Sequence, residues 1–110
     1  MNQSEKEYLA KSFSDLINYE SENALAPIDP IAYRTPEGDS CLHLAAIRGD
    51  LTAVQILLSA GLDVNMKGDL GNTPLHYATM AKNSDIIELL ITHGAKTDLI
   101  NELGDNASGI

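Results

Sequence analysis

The fold of this chain is decided by residues 71–100, GNTPLHYATMAKNSDIIELLITHGAKTDLI, which repeat residues 38–67, GDSCLHLAAIRGDLTAVQILLSAGLDVNMK, at a shift of 33 positions. Leu42-His43 falls on Leu75-His76 in this comparison, and Gly61 falls on Gly94. A fixed period of this length is typical of stacked repeat architectures, in which each unit packs against its neighbours. The sequence therefore predicts a stack of similar units.

The start of each unit carries a helix-capping residue. Thr73 can accept a hydrogen bond from an early N–H of a helix that begins at Pro74, and proline has no N–H to leave unpaired. Ser40 takes the same place in the first unit, where Cys41 replaces the proline. Both units are therefore predicted to begin with a capped helix.

The second half of each unit predicts a second helix, because its apolar residues recur at helical spacing and form one stripe. The stripes are Val54, Leu57 and Leu58 in the first unit and Ile87, Leu90 and Ile91 in the second. Gly61 and Gly94 follow, where a helix can end in a left-handed conformation. The predicted core consists of Leu42, Ala45, Val54, Leu57, Leu58, Leu75, Ala78, Ile87 and Leu90.

The motifs GDSCLHLAA and GNTPLHYA, with the helix ends AGLDVN and HGAKTD, resemble ankyrin repeats. The resemblance implies an all-α solenoid of stacked helix–turn–helix units with projecting β-hairpin tips. It divides the chain into a degenerate N-terminal capping segment at 1–35, ankyrin repeats at 36–68 and 69–101, and the start of a truncated third repeat at 102–110. Lys82-Asn83 departs from the family pattern of a glycine and a polar residue, so we expect left-handed geometry at Asn83.

The two ends of the chain carry weaker signals. Ser4 and Glu7 are spaced as a capping box, and an amphipathic helix is predicted after them from Leu9, Phe13, Leu16 and Ile17. Ala24 and Leu25 are assigned to a short second helix that ends before Pro27, and residues 28–36 to an extended connector. At the other end, a chain that stops after Asn106 leaves the Ile87, Leu90 and Ile91 stripe poorly covered. A longer natural chain, a second copy or a partner protein is expected to cover it.

The charge balance restricts the class of partner. The chain has 7 Lys and Arg against 16 Asp and Glu, which gives a formal net charge of −9. Binding to a phosphate backbone requires clustered cations, so we expect a basic protein partner and no nucleic acid. The absence of a long apolar run argues against a membrane span or signal peptide, and a lone Cys41 cannot form an internal disulfide. We expect a soluble, cytoplasmic protein.

Residue types that carry chemistry are few. A metal site built on Cys41, His43 and His76 would have at most three ligands, and in the family that the chain resembles this histidine bonds the capping hydroxyl and the neighbouring repeat. His93 stands near a helix end, where an imidazole suits the negative pole. No nucleophile motif or phosphate-binding glycine loop is present in the sequence. We expect no catalytic residue, metal or cofactor, and no enzymatic activity.

The resemblance also implies a concave partner-binding surface made by the hairpin tips and the ends of the first helices. Carried over by position, it consists of Glu37, Asp39, Ile47, Arg48, Asp69, Leu70, Asn72, Met80, Ala81, Glu102, Leu103 and Asp105. Acidic turns are common simply because they are soluble. Leu70 and Leu103 favour a binding surface, since a large apolar residue at a loop tip gains nothing from water.

Three functional hypotheses follow. The first is a non-catalytic module that binds a basic protein through an acidic concave face, in its most specific form an inhibitor similar to the ankyrin-containing immunity proteins of bacterial toxin systems. The second is an adaptor or assembly subunit that self-associates as a homodimer through the uncovered C-terminal face. The third is a substrate for asparagine hydroxylation at Asn65, although Asp98 holds the equivalent position in the next repeat.

Overall fold

The repeat pattern produces a stack of helix pairs in the computed structural model, which describes residues 1–19, 21–23 and 26–109. Five α-helices lie in these residues: α1 Gln3–Ser12, α2 Cys41–Arg48, α3 Leu51–Ser59, α4 Pro74–Met80 and α5 Ser84–Thr92. Helix α2 pairs with α3 and α4 with α5, and the pairs stack through α2 on α4 and α3 on α5. The predicted all-α stack is confirmed.

The predicted helix caps are present in both units. The Ser40 hydroxyl accepts from the His43 N–H, and the Thr73 hydroxyl accepts from the His76 N–H, each at 3.4 Å. Gly61 and Gly94 have φ values of 97° and 93°, so both are left-handed as predicted. These local features follow directly from residue type and need no tertiary contact.

The turn between α4 and α5 differs from the prediction at Asn83. Its φ is −94°, and its side chain accepts from the Ile86 N–H at 3.1 Å, so Asn83 caps α5. A capping residue needs an extended backbone, so the left-handed position falls one residue earlier, on Lys82, with φ of 55°. Gly49 takes the equivalent place between α2 and α3, with φ of 75°.

The core contains the predicted residues of α2, α3 and α4, which are buried together with Leu90. The register of α5 is shifted by one residue from the prediction. Ile86 is fully buried and Ile87 only half-buried, because Ile86 and Leu90 share the helix face that packs on α3 and α4. The prediction that Leu90 would be poorly covered is therefore wrong, while Ile91 is 46% exposed.

The N-terminal helix α1 begins earlier than predicted and ends sooner. Asn2, not Ser4, is the capping residue, and it exchanges hydrogen bonds with Glu5 at 2.9 and 3.0 Å. Leu9 and Phe13 are buried as one stripe. Because the helix ends at Ser12, Ile17 does not continue this stripe and is 47% exposed. The predicted second helix at 24–25 lies outside the described residues. The connector at 28–36 contains turns and an isolated antiparallel bridge from Arg34 to Ser40.

Helix α1 packs on α3 through the buried Leu9, and two of its hydroxyl groups bond to Asp50 at the start of α3. The Tyr8 hydroxyl donates to Asp50 at 2.6 Å, and the Ser12 hydroxyl donates to the other oxygen of the same carboxylate. Asp50 also caps α3 by accepting from the Ala53 N–H at 3.1 Å. One carboxylate therefore joins the capping segment to the first repeat.

Residues 99–109 turn back over the end of α4. Ile100 and Asn106 form an isolated antiparallel bridge, and Ala107 is fully buried. The Thr79 hydroxyl donates to the Ala107 carbonyl at 2.8 Å, and the Ala107 N–H donates to Leu99 at 3.0 Å. The residues that follow the second repeat therefore cover part of its surface.

Candidate functional site

Three turns of similar construction project from the stack, and we refer to them as the first, second and third tips, residues 35–39, 68–72 and 101–105. In each tip the N–H of the first residue donates to the carbonyl of the last residue, and the carbonyl of the first residue accepts from the N–H of the glycine. The donor–acceptor distances lie between 2.8 and 3.1 Å, for Thr35 with Gly38 and Asp39, Gly68 with Gly71 and Asn72, and Asn101 with Gly104 and Asp105. The 33-residue period is therefore preserved in the backbone hydrogen bonds that close the tips.

The tips are tied to one another. The Asp39 carboxylate accepts from the Asp69 N–H at 2.9 Å and from the Tyr77 hydroxyl at 2.9 Å. Between the second and third tips, the Asn101 amide donates to Asn72 Oδ1 at 2.8 Å. The Glu102 N–H donates to the Leu70 carbonyl at 2.9 Å. These bonds fix the relative positions of the three tips.

The two repeat histidines also serve this connection. His43 Nδ1 accepts from the Ser40 N–H at 3.1 Å, so its Nε2–H donates to the carbonyls of Met66 and Asn72 at 2.8 and 3.0 Å. His76 repeats the arrangement with Thr73 and with the Asp105 carbonyl at 3.0 Å. Burial lowers the pKa of His43, which favours the neutral ring. The expected structural role of both histidines is confirmed.

Metal and nucleophile chemistry find little support in this arrangement. Cys41 is a free, buried thiol, and burial raises its pKa to about 12, so it is not a thiolate at neutral pH. Within the described ranges, no cluster of three or more His, Cys, Asp or Glu side chains is placed to hold a metal ion. His93 is exposed at the end of α5, with its Nδ1 3.0 Å from the Leu89 carbonyl.

Most of the predicted partner-binding residues lie on the surface. The four large apolar ones are all substantially exposed: Ile47 40%, Leu70 45%, Met80 52% and Leu103 66%. Glu37, Glu102 and Asp105 are exposed, Asp69 is half-buried, and Ala81 is exposed at the end of α4. A groove of about 300 Å³ lies beside Met80 and is also lined by Thr79 and Asp105.

Three of the predicted contact residues have internal roles instead. Asn72 is only 4% exposed and bonds to Asn101, so its prediction as a contact residue is wrong. Asp39 is half-buried, and its carboxylate is occupied by Asp69 and Tyr77. Arg48 is turned toward the capping segment, where it pairs with Asp15 at 2.8 Å and lies 5.6 Å from the centre of the Phe13 ring.

Tyr77 and Asn101 are residues that join the tips and that sequence reasoning missed. Burial and the bond to Asp39 raise the pKa of Tyr77, which therefore stays protonated and donates. Asn101 Oδ1 accepts from the N–H groups of Leu103 and Asp105 at 3.0 and 2.9 Å, which closes the third tip. Asn101 could have been found from the type of residue that begins a tip, because Thr35 begins the first tip and its hydroxyl accepts from the Asp39 N–H in the same way.

The three tips contain acidic but no basic residues, while the guanidinium of Arg34, just before the first tip, donates to the Gly38 carbonyl at 2.7 Å. In the part of the chain that the structure describes, the one ion pair joins Arg48 to Asp15, away from the tips. The carboxylates of Glu37, Asp69, Glu102 and Asp105 therefore have no ion-pair partner there. Among the described residues, no helix has the length and apolar content needed to cross a membrane.

Comparison with known proteins gives the same picture of the repeats. The family model described as ankyrin repeats (3 copies) matches residues 7–101. The chain is 38% identical over 101 residues to dauer abnormal formation protein 25 of Caenorhabditis elegans. The match covers 87% of this chain and 26% of that protein. It is 37% identical over 75 residues to human protein phosphatase 1 regulatory subunit 27, covering 68% of this chain and 49% of that protein.

A third relative is the NF-kappa-B inhibitor cactus of Drosophila melanogaster, 38% identical over 77 residues. The match covers 69% of this chain and 15% of the inhibitor. The chain thus spans half or less of the length of each of these relatives.

Proposed function

The chain belongs to the ankyrin-repeat family, and on that premise we propose that it is a non-catalytic module that binds a basic protein. The proposed contact surface, the binding face, consists of exposed or half-buried residues of the tips and of the ends of α2 and α4. Its members are Glu37, Ile47, Asp69, Leu70, Met80, Glu102, Leu103 and Asp105.

The observation that carries this proposal is the repeated exposure of large apolar side chains at equivalent positions. Ile47 and Met80 are one period apart at the ends of α2 and α4, and Leu70 and Leu103 are one period apart at the tips. All four are between 40% and 66% exposed. Isolated exposed apolar residues are ordinary, but a set that recurs with the repeat is typical of a contact surface whose anchors become buried in a complex.

The charge of the binding face supports a basic partner. The tip carboxylates are arranged around the apolar positions, and the whole chain carries a formal net charge of −9. A field of one sign raises the encounter rate with a partner of opposite sign and disfavours partners of like sign. We therefore assign steering to the carboxylates and anchoring to the four apolar residues.

The more specific form of the proposal is an inhibitor that neutralises its target in the cytoplasm, with the immunity protein of a basic toxin as the leading example. Two of the relatives are named as an inhibitor and as a regulatory subunit, which supports a role in controlling another protein. A basic nucleic-acid-cutting toxin would match the acidic face in charge.

A second candidate is an adaptor that self-associates through the C-terminal end of the stack. The observation in its favour is the exposure of Ile91 and Ile100, 46% and 59%, on the last helix and at the end of the second repeat. In this case the expected species in solution is a homodimer, and the partner is a second copy of the chain.

The proposal is tested by quantitative pull-down with mass spectrometry from source cells, comparing wild type with the double variant Leu70→Ser, Leu103→Ser. The control is Ile31→Ser, because Ile31 is 42% exposed but lies on the connector. A protein that is captured by wild type and by the control but lost with the double variant supports the binding face. Equal capture by all three contradicts it. Light scattering of wild type and Ile91→Ser tests the homodimer.

A further inference from the structure

The second tip has a backbone unlike those of the other two. In the first and third tips only a glycine is left-handed, Gly38 with φ of 103° and Gly104 with φ of 86°. In the second tip two successive residues are left-handed, Leu70 with φ of 55° and ψ of 25° and Gly71 with φ of 72°, as in a type I′ turn. A leucine is disfavoured there, because its Cβ approaches the following carbonyl oxygen.

Leu70 is 45% exposed, so its burial compensates for this strain only in part. Part of the cause lies inside the tip. Thr35 and Asn101 close their tips by accepting through a side chain, but Gly68 has no side chain, so the Asn72 N–H donates to the Asp69 carbonyl instead, at 3.0 Å. That bond selects a different turn.

The other contribution comes from the third tip. The Leu70 carbonyl lies between two left-handed residues, Leu70 and Gly71, and accepts from the Glu102 N–H at 2.9 Å. Asp69 is the residue equivalent to Glu102 one unit earlier, and its N–H donates to the Asp39 carboxylate at 2.9 Å. In the first tip the equivalent residue is Pro36, which has no N–H. An N–H at this position is thus the group by which a tip is tied to the tip before it.

We propose that Glu102 is a positioning residue, whose main-chain N–H holds Leu70 in its left-handed conformation and so fixes the exposed Leu70 side chain for contact with the partner. The inference rests on the proposed function only in its last step, the contact between Leu70 and the partner. The coupling of the second and third tips is a property of the free protein. The two C-terminal tips therefore act as one preorganised unit.

The test uses Glu102→Pro, which removes the N–H in a way that the repeat itself accommodates, because Pro36 occupies the equivalent place in the first tip. Glu102→Ala is the matched control, since it removes the carboxylate but keeps the N–H. In wild type and in the control, NMR should show a strong intraresidue HN–Hα NOE at Leu70, the mark of a positive φ. In Glu102→Pro that NOE should weaken, while Lys82, the other left-handed side-chain-bearing residue among those described, should keep its own.

An unchanged NOE at Leu70 in Glu102→Pro would overturn the inference and assign the turn to the Asn72–Asp69 bond alone. A measurement on wild type avoids dependence on the folding of the variant. The Glu102 amide should exchange with deuterium much more slowly than the exposed amide of a free turn, and rapid exchange would overturn the proposal equally.

Binding of the partner captured above tests the functional step. Glu102→Pro should weaken affinity roughly 5- to 30-fold, the factor by which a left-handed leucine is disfavoured once nothing holds it, and Glu102→Ala should weaken it less. If the NOE changes and affinity does not, the coupling stands as a property of the free protein, but the role of Glu102 in partner binding is overturned. If the double leucine variant also binds normally, the proposed function itself fails.

Discussion

Gly68 lies so close to Asp39 that no side chain fits between them. A Cβ added to Gly68 would stand 2.3 Å from Asp39 Oδ1 and 3.0 Å from His43 Nε2, two atoms that join the repeats. The glycine is required by this close approach, and its backbone, with φ of −113° and ψ of −144°, also lies outside the usual extended region. The contact explains why the second tip lacks the side-chain acceptor found in the other two.

Gly68→Ala should therefore destabilise the fold. The added methyl group must displace Asp39 or His43, and overpacking of this kind costs about 1 to 3 kcal/mol. Urea titration measures the loss. The adjacent exposed Lys67→Ala is the control and should change stability little. Equal effects of the two substitutions would show that Asp39 and His43 can move away from the added methyl group without loss of stability.

Stability should fall as the pH drops below the normal histidine range. Burial lowers the pKa of His43 from the reference value of 6.5, so the unfolded chain takes up the proton first. Below pH 6.5 the unfolded state therefore binds more protons, and the free energy of unfolding decreases as pH falls toward the lowered pKa of His43. Thermal melts between pH 8 and pH 5 measure this, with His93→Gln as a control that should retain the decline. A flat profile would contradict it.

The register of α5 predicts different effects for two of its isoleucines. Ile86 is fully buried and Ile91 is 46% exposed. Ile86→Ala should cost about 2 to 5 kcal/mol, as buried isoleucines usually do, and Ile91→Ala well under about 1 kcal/mol. Chemical denaturation of both variants distinguishes this register from one with Ile91 in the core, which would give the reverse order.

Lys82→Gly should stabilise the protein. Lys82 is left-handed, with φ of 55°, and glycine removes a strain of about 1 to 2 kcal/mol while adding a smaller entropic cost in the unfolded chain. The neighbouring Ala81→Gly is the matched control, because Ala81 has helical geometry with φ of −76° and should be destabilised. A lower melting temperature for Lys82→Gly would show that the lysine side chain contributes more than its backbone strain.

Reversing the charge of the tips should affect binding much more than folding. The triple variant Glu37→Lys, Asp69→Lys, Glu102→Lys should keep its melting temperature nearly unchanged but associate more slowly with the captured partner, and added salt should mimic this effect. Truncation of Leu70 and Leu103 to alanine should instead speed dissociation with little salt dependence. Intact affinity of the triple variant at low salt would exclude the acidic face and favour the region around Ile91.

Several features could be predicted from the sequence because they depend on local or periodic signals. The 33-residue repeat fixes the stack, the hydroxyls of Ser40 and Thr73 fix the helix starts, and Gly61 and Gly94 fix two helix ends. Most of the exposed residues of the binding face could also be identified from the sequence, since a tip position in one repeat is a tip position in the next. These features need only residue type and spacing.

The tertiary structure decided what depends on neighbours in space. Whether Ile86 or Ile87 is buried is set by where α3 and α4 lie, and a stripe of adjacent isoleucines reads equally well in either register. Asn72 is directed inward because Asn101, 29 residues later, bonds to its side chain. Leu70 is left-handed because the Gly68–Asp39 contact changes the closure of its turn and because the Glu102 N–H donates to the Leu70 carbonyl. Each outcome depends on a residue of another unit, and the sequence pattern does not show which residues of different units are close in space.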